Sequence, residues 1–302
     1  MTTSPLIGYI TPWNVQHGIA TYSEGLVSHM SDVVDVSVVG FDLTAQGKAD
    51  FDVGMALDHL ADRNIVHIQF DPDLYDHVQF ADLVSRLRKA GKRVVLTIHQ
   101  HRFWDGFPHR EIDYWIFHHV PAQAVRAREI TVIPLPVEFY TTAAIPPTVR
   151  SVCCLGTKSN PDEVEAALND IGGGLLSVVD GHDWLQPQPL AERIAESTVT
   201  VLNYNGEAKN QISKLAVMAL GVPRPLILTD SPQFVHVKDY PGVTVAANRK
   251  RLALYLDFTF SNQAQVFQYV RDRQVYANKV NMTYRQFISA HLSIYRKLLD
   301  KK

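Results

Sequence analysis

The chain has 302 residues, a formal charge of −2, 46% hydrophobic residues and 20% charged residues. This balance excludes intrinsic disorder, and the small net charge excludes a global field that would draw the protein to nucleic acid or to an acidic membrane. A single comfortable core is also excluded by length, because domains usually run to roughly 100–200 residues, so two are expected.

In chain order, residues 6–10 predict a strand, followed by a glycine-containing turn and a helix over 18–30. Strands are predicted at 33–39 and 65–70, a helix at 80–90, and an almost purely apolar strand at 94–98. Residues 114–117 and 131–133 continue the series. Continuous apolar strands between amphipathic helices indicate a parallel sheet covered on both faces. Pro134, Pro136, Pro146 and Pro147 then cluster around Thr141 and Ala144, which predicts an interdomain linker. The alternation restarts with strands at 151–155, 175–179, 199–202 and 226–229 and helices at 162–168, 190–195 and 212–220. The tail over 263–302 is expected to be helical. Tyr284, Phe287, Ile288, His291, Leu292, Tyr295 and Leu298 recur on one helical face. The fold class is therefore α/β, with two doubly wound, Rossmann-like domains facing a cleft.

Cys153 and Cys154 are adjacent, and strand neighbours point to opposite faces, so no disulfide framework is expected. That usage favours a reducing compartment. The first residues lack a basic region followed by an apolar stretch, and no window approaches the ~20 apolar residues of a membrane span. A cytoplasmic protein is expected. The basic runs Arg86–Arg93 and Arg249–Arg251 read as solvated faces.

Three constellations carry candidate chemistry. The first runs from Trp13 through His17 and Gly18 into the first helix. Glycine lets a ligand approach the backbone, and a helix start offers unpaired N–H groups suited to a phosphate or a sugar hydroxyl. A plain strand-to-helix turn is the alternative there, and the absence of GxGxxG argues against an ordinary dinucleotide-binding dehydrogenase. The second is His99, just past the carboxyl end of a buried strand, where α/β ligand sites form. Its imidazole donates to a sugar hydroxyl or stabilises a shifting charge, unless it only caps the strand. The third is Ser213-Lys214 in the first turn of a helix, where hydroxyl, N–H groups and ammonium together make a diphosphate clamp. A lysine directed into water is the alternative.

At these places the sequence resembles the group 4 family of retaining glycosyltransferases of the GT-B type. "GYITPWNVQHGIATYSEGLVSHM" resembles that family's opening strand, glycine loop and first helix, and "NIVHIQFDPDLY" its "diVHiqye" strand. "LRKAGKRVVLTIHQ" resembles "lk..gk.vv.TiHd", "SKLAVMALGVPRPLILTD" resembles "SKl.eala.G.Pvi.t", and "MTYRQFISAHLSIYRKLL" resembles the closing "sW...a....iY..ll" helix. The fragments occur in the family's order and cover most of the chain.

The resemblance implies an acceptor-side domain over 1–145, completed by a C-terminal helix over 283–302 that packs back on it. A donor-binding domain over 146–282 follows. His17 and Gly18 would face the diphosphate or the transferred sugar, and His99 the reaction centre. Ser213 and Lys214 would contact the diphosphate. No metal and no cofactor are implied, and the donor is a nucleotide sugar, with a UDP-sugar expected first. The acceptor is a glycan, a small molecule or a hydroxymethylated base in DNA.

The sequence also departs from the family pattern. One of the two glutamates usual beside the donor is replaced by Ala216; near the other stand Ala208 and Glu207. The usual arginine slot holds Thr157, with Lys158 as the remaining cation. These departures leave a non-catalytic binding protein or a GT-B-type epimerase as competing readings.

Two further patterns are read as decoys. Asp71-Pro72-Asp73 looks like a metal-binding DxD motif but also makes an ordinary turn, and Asp71 stands where the family often has an acceptor-side glutamate. His99, His101, His109, His118 and His119 match no zinc spacing. With Phe103, Trp104, Phe107, Tyr114 and Trp115 they are expected to form an acceptor-side lip, in which His101 and Trp104 meet the acceptor.

Overall fold

The structure, a computed structural model, describes residues 4–120, 127–142, 149–156, 159–179, 186–204 and 213–300. Along the chain the first elements are β1 (Leu6–Pro12), α1 (Gly18–Ser31), β2 (Asp35–Leu43), β3 (Ala49–Asp50), α2 (Val53–His59), β4 (Ile65–Phe70), α3 (His77–Lys89), β5 (Arg93–Ile98), β6 (Tyr114–Phe117) and β7 (Ile130–Val132). They are followed by β8 (Ser151–Leu155), α4 (Pro161–Asn169), β9 (Leu175–Val179), α5 (Pro187–Ala195), β10 (Val199–Leu202), α6 (Lys214–Leu220), β11 (Leu226–Thr229) and β12 (Val243–Ala246). The remaining helices are α7 (Arg249–Ser261), α8 (Gln263–Arg271), α9 (Arg273–Lys279) and α10 (Tyr284–Asp300).

The chain divides into two units, Met1–Pro134 with Tyr284–Lys302, and Leu135–Thr283. The division thus falls at the first proline of the expected linker, ahead of position 145, and α10 belongs to the first unit. The first sheet has the order β3-β2-β1-β4-β5-β6-β7 and is parallel except where β3 meets β2. The second has the order β12-β11-β10-β8-β9 and is parallel throughout. Each chain of strands reverses direction beside its first strand, β1 or β8, which is the arrangement that opens a crevice at the carboxyl ends of the strands. This is the α/β, doubly Rossmann-like fold expected from the alternation of strands and helices.

Several helices begin where polar side chains satisfy free N–H groups. The Asp76 carboxylate accepts from Val78 and Gln79 N–H, so α3 starts at His77 and not at residue 80. Asn160 caps α4, whose first residue is proline, and Asn248 caps α7. The tail is helical as expected, in three helices, α8, α9 and α10. Asn281 takes a left-handed φ of 60° after α9, which ends that helix before α10 begins.

The two faces of the first sheet differ in chemistry. On one face Ile10, Val66, Ile68, Phe70, Val94, Leu96, Ile98, Trp115 and Phe117 pack with Phe80, Leu83 and Leu87 of α3 into an apolar core. On the other face α1 and α10 cover the sheet, and polar side chains reach it from both. Both cysteines lie fully buried in β8, and both are free. Burial pushes the Cys153 thiol up to about 12 and that of Cys154 up to about 11, so neither is a nucleophile at neutral pH. Among the described residues no helix is long and apolar enough to cross a membrane.

Candidate active site

Period-two alternation puts residues i and i+2 of a strand on one face. In β1 this places Ile7, Tyr9 and Thr11 together; in β4, Ile65, His67 and Gln69; in β5, Val95, Thr97 and then His99. The parallel register pairs Tyr9 with His67, and Gln69 with Thr97. Each strand on this face therefore runs from apolar to polar toward its carboxyl end. All of Tyr9, Thr11, His67, Gln69 and Thr97 are fully buried.

The hydroxyls and the His67 ring satisfy one another. His67 Nδ1 bonds the Tyr295 hydroxyl at 2.6 Å and its Nε2 bonds Thr97 Oγ1 at 2.7 Å. The Tyr295 hydroxyl also meets that of Tyr9 at 2.8 Å. Thr11 Oγ1 lies 2.5 Å from Ser23 Oγ, which donates to the Ile19 carbonyl of α1. Burial holds His67 well below the usual imidazole range, and pushes His291, packed beside it, down to about 4. Both rings are neutral at pH 7, as an interior without a counter-charge requires.

His99 stands at the polar end of this stripe. Its backbone N–H donates to the Phe70 carbonyl at 2.9 Å, continuing the ladder between β4 and β5. Its Nε2 lies 2.8 Å from Gln69 Oε1, and its ring meets the rings of Tyr22 at 5.0 Å and His118 at 5.4 Å. His101 lies flat against His119, with centroids 4.7 Å apart, and burial followed by the His119 charge pushes it down to about 4. This end of the sheet presents imidazole, amide and hydroxyl donors and acceptors, the kind that recognises hydroxyl groups.

The first loop closes on the same end. His17 is the N-cap of α1, and its Nδ1 accepts from Ile19 N–H at 3.2 Å. Gly18 is the exposed first residue of that helix. Trp13 is half-buried over Gly40, where an added Cβ would come within 2.6 Å of the Trp13 Cβ. Asp71 follows β4, and its Oδ1 accepts from Asp73 N–H at 2.9 Å in a tight turn. Asp73 itself is paired with Arg102. Among the described residues no group of three or more His, Cys, Asp or Glu side chains is placed to hold a metal.

The expected aromatic lip is arranged differently. Trp104 stacks on His77 at 3.9 Å and packs against Phe70, Phe80 and Phe107. Phe107 and Trp115 are buried in the same cluster, and Phe103 packs against it. These rings serve the apolar face of the sheet, opposite the His67–Gln69 stripe, because apolar surface in so rich an aromatic loop is worth more buried than displayed. Trp104 is half-buried and packs against the edge of this cluster.

In the second unit the carboxyl ends of β8, β10 and β11 converge. Gly156 follows β8 with φ of 99°, and a Cβ there would meet the Tyr204 hydroxyl at 2.6 Å and Leu215 at 2.9 Å. Glycine therefore serves both the left-handed backbone and the close approach. Tyr204 donates its backbone N–H to Thr229 Oγ1 at 3.0 Å and stacks obliquely on Phe234. Ser213 is the buried N-cap of α6, its hydroxyl accepting from Ala216 N–H at 3.2 Å. Its role is thus first a cap, a residue earlier than the predicted helix interior, and Lys214 is the half-buried first residue of α6. Ala216, at a position where the family pattern has a glutamate, is fully buried. Lys158 and Glu207 lie outside the described residues.

Sequence reasoning missed Gln69, His67, Thr97, Thr11 and Tyr22. The signal was present in "IVHIQF" and "VVLTIH", where polar residues occupy every second place of strands otherwise continuous in apolar residues.

No protein-family model and no curated protein matches the sequence. Solved structures do match its backbone. HepE of Anabaena, in complex with UDP and glucose, superimposes with a TM-score of 0.70 at 8% identity, over 97% of this chain and 100% of that one. A glycosyltransferase from Rickettsia africae gives 0.70 at 10% identity, over 99% and 100%. The T4 phage protein BGT, in complex with UDP and Mn2+, gives 0.56 at 11% identity, over 97% and 99%. At such identities the likeness is one of backbone, and the backbone is that of the GT-B fold: two Rossmann-like domains with a C-terminal helix returning to the first.

Proposed function

We propose that the chain is a glycosyltransferase that moves a sugar from a nucleoside-diphosphate sugar to an acceptor hydroxyl, with retention and without a metal. The observation that carries this reading is the buried polar stripe that surfaces at His99, on a fold shared with proteins whose structures hold UDP and UDP-glucose. Imidazole, amide and hydroxyl groups suit a sugar, which is recognised by hydrogen bonds and carries no charge. UDP is the first choice of nucleotide because the matched structures hold it.

In this reading His99 hydrogen-bonds the transferred sugar, and Gly18 at the start of α1 leaves room for it. His17 borders the same space. Lys214, with Lys158 as a second cation, offsets the charge that grows on the departing diphosphate, the largest expected contribution to rate. Glu207 stands on the donor side, and Ser213 holds the start of α6 in shape. On the acceptor side are Asp71, Trp13 and His101. The departing phosphate oxygens take the acceptor's proton. The acceptor is a glycan, a small molecule or a hydroxymethylated DNA base, and a steep loss of DNA binding with salt marks the last.

The test is a thermal-shift screen of nucleotide sugars. A donor at about 100 times its dissociation constant adds roughly 2.7 kcal/mol to stability, and Lys214→Ala removes most of that gain. No stabilisation by any UDP- or GDP-sugar would overturn the reading. Turnover that stops with a chelator would remove the metal-independent part, and an inverted anomeric centre in the product would remove retention.

A further inference from the structure

The second sheet reverses direction between β8 and β10. The chain leaves β8 through α4 toward β9 and leaves β10 through α6 toward β11, so the two connections run opposite ways from a neighbouring pair of strands. Parallel crossovers are right-handed, which puts α4 and α6 on opposite faces with their starts flanking a crevice at the carboxyl ends of β8 and β10. The side chains agree. Val199 and Val201 of β10 pack in one core with Val164 and Leu168 of α4, and period two carries Asn203 onto that face. Tyr204 goes to the other face, where its hydroxyl and Leu215 of α6 both border Gly156.

Asn203 is fully buried at this edge. Its Nδ2 donates to the Asn160 carbonyl at 3.2 Å and to Glu163 Oε2 at 3.0 Å. A carbonyl and a carboxylate only accept, so the amide has one orientation, and its oxygen is buried with no donor among the described residues. An unmet buried acceptor is destabilising, so this side chain is explained by its two N–H bonds and not by packing. Glu163 is half-buried in the first turn of α4, and helical side chains lean toward the N-terminus, which brings its carboxylate to the carboxyl edge of the sheet. The helix does not need that carboxylate. Asn160-Pro161-Asp162-Glu163 has the spacing of a capping box, in which Glu163 would accept from the Asn160 N–H, but that N–H donates to the Asn203 carbonyl at 2.8 Å. Among the described residues the carboxylate has no partner besides Asn203.

We propose that Glu163 is the ribose-binding carboxylate of the nucleotide site, and that Asn203 is the positioning residue that holds it. This rests on the function proposed above, in which Lys214 at the start of α6 takes the diphosphate. A donor laid across the crevice then has its ribose on the α4 side. A carboxylate oxygen accepts from a ribose hydroxyl, and its charge makes that bond roughly twice as strong as a neutral one. Asn203 fixes Oε2 with a neutral donor, so the charge is kept and Oε1 is left for the ligand. An arginine in its place would cancel the charge that binds the hydroxyl.

Calorimetric titrations with UDP, GDP and their 2′- and 3′-deoxy forms, run in EDTA, test this. In the wild type the nucleotide that binds should do so about 10–100-fold more tightly than at least one of its deoxy forms, the usual worth of a hydrogen bond to a charged group. In Glu163→Gln the ribonucleotide should weaken by about 10-fold while that deoxy form keeps its affinity, so the ratio narrows. Asn203→Leu should narrow the ratio in the same way, whereas a loss of packing alone would weaken both ligands equally. If Asn203→Leu does not fold, Asn203→Asp, which keeps the shape and repels Glu163, takes its place with the same narrowing expected. An unchanged ratio in the Asn203 variant removes its positioning role. A wild type that does not discriminate, or a ratio unchanged in Glu163→Gln, overturns the proposal and leaves glycosyl transfer standing. Discrimination that appears only when Mg2+ replaces EDTA also overturns it, because the carboxylate then holds a cation. No binding by either nucleotide overturns the proposed function and this assignment together.

Discussion

At the residue scale, His17 shows how one side chain serves two ends. It closes the start of α1 by accepting from Ile19 N–H, the task usually given to Ser, Thr, Asp or Asn, and it borders the exposed Gly18. The two roles separate by substitution. His17→Asn keeps an acceptor at the cap, so stability should stay within about 0.5 kcal/mol of the wild type, whereas His17→Ala should lose about 1 kcal/mol. If His17 also faces the donor, both variants lose turnover while only one loses stability. Urea unfolding and initial rates measured on both check this, and full activity in His17→Asn would reduce His17 to a cap. The contrast with Trp104 is instructive. A tryptophan beside histidines on a loop reads as a sugar platform, and the sequence carries no sign that Phe70 of β4 and Phe80 of α3 also pack against it.

At the element scale, α6 is short, and its two ends are set by different means. Ser213 caps the start, and Gly221 ends it against another backbone. A Cβ at Gly221 would lie 1.7 Å from the Glu138 carbonyl oxygen, and the Gly221 carbonyl accepts from Tyr140 N–H at 3.0 Å. The glycine is required here by approach and not by dihedral, since its φ is −72°. Gly221→Ala must push the 138–140 strap away, at a cost of about 3 kcal/mol or more, the upper range for overpacking. It should also release α6, so donor-dependent stabilisation should fall with it. A thermal midpoint within the scatter of the wild type would show that the strap moves freely. The motif "SKLAVMALGVP" gave the helix from sequence because its apolar period is local, but it put Ser213 in the first turn where the structure has it as the cap. The strap is not local, so nothing in the motif announced it. Short elements were likewise illegible: β3 has 2 residues and α2 has 7, too few for a period to stand out. The longer strands were legible because apolar β-branched runs survive any context, and the same richness hid the polar face inside them.

At the scale of the whole molecule, the polar stripe makes the first unit sensitive to acid. His67 and His291 are fully buried, and burial holds both below their ordinary range, His291 at about 4. In the unfolded chain both titrate near ~6.5, so between that value and the folded one the unfolded state binds more protons. The stability they contribute is therefore complete above about pH 6.5 and is lost as pH falls toward about 4. Each histidine contributes a slope of about 1.4 kcal/mol per pH unit in that window. Against a total stability of about 5–15 kcal/mol, two such groups over about two pH units remove an amount near the lower end of that range. Three of the four tryptophans, Trp13, Trp104 and Trp115, lie in the first unit and Trp184 in the second, so fluorescence in a Trp184→Phe background follows the first unit's unfolding. Urea midpoints should fall between about pH 7 and about pH 5, and His291→Gln, which keeps a polar group and removes the titration, should flatten the slope by about 1.4 kcal/mol per pH unit. An unchanged slope in that variant would mean that His291 takes up its proton in place, and that the layer between the sheet and α10 is open to water.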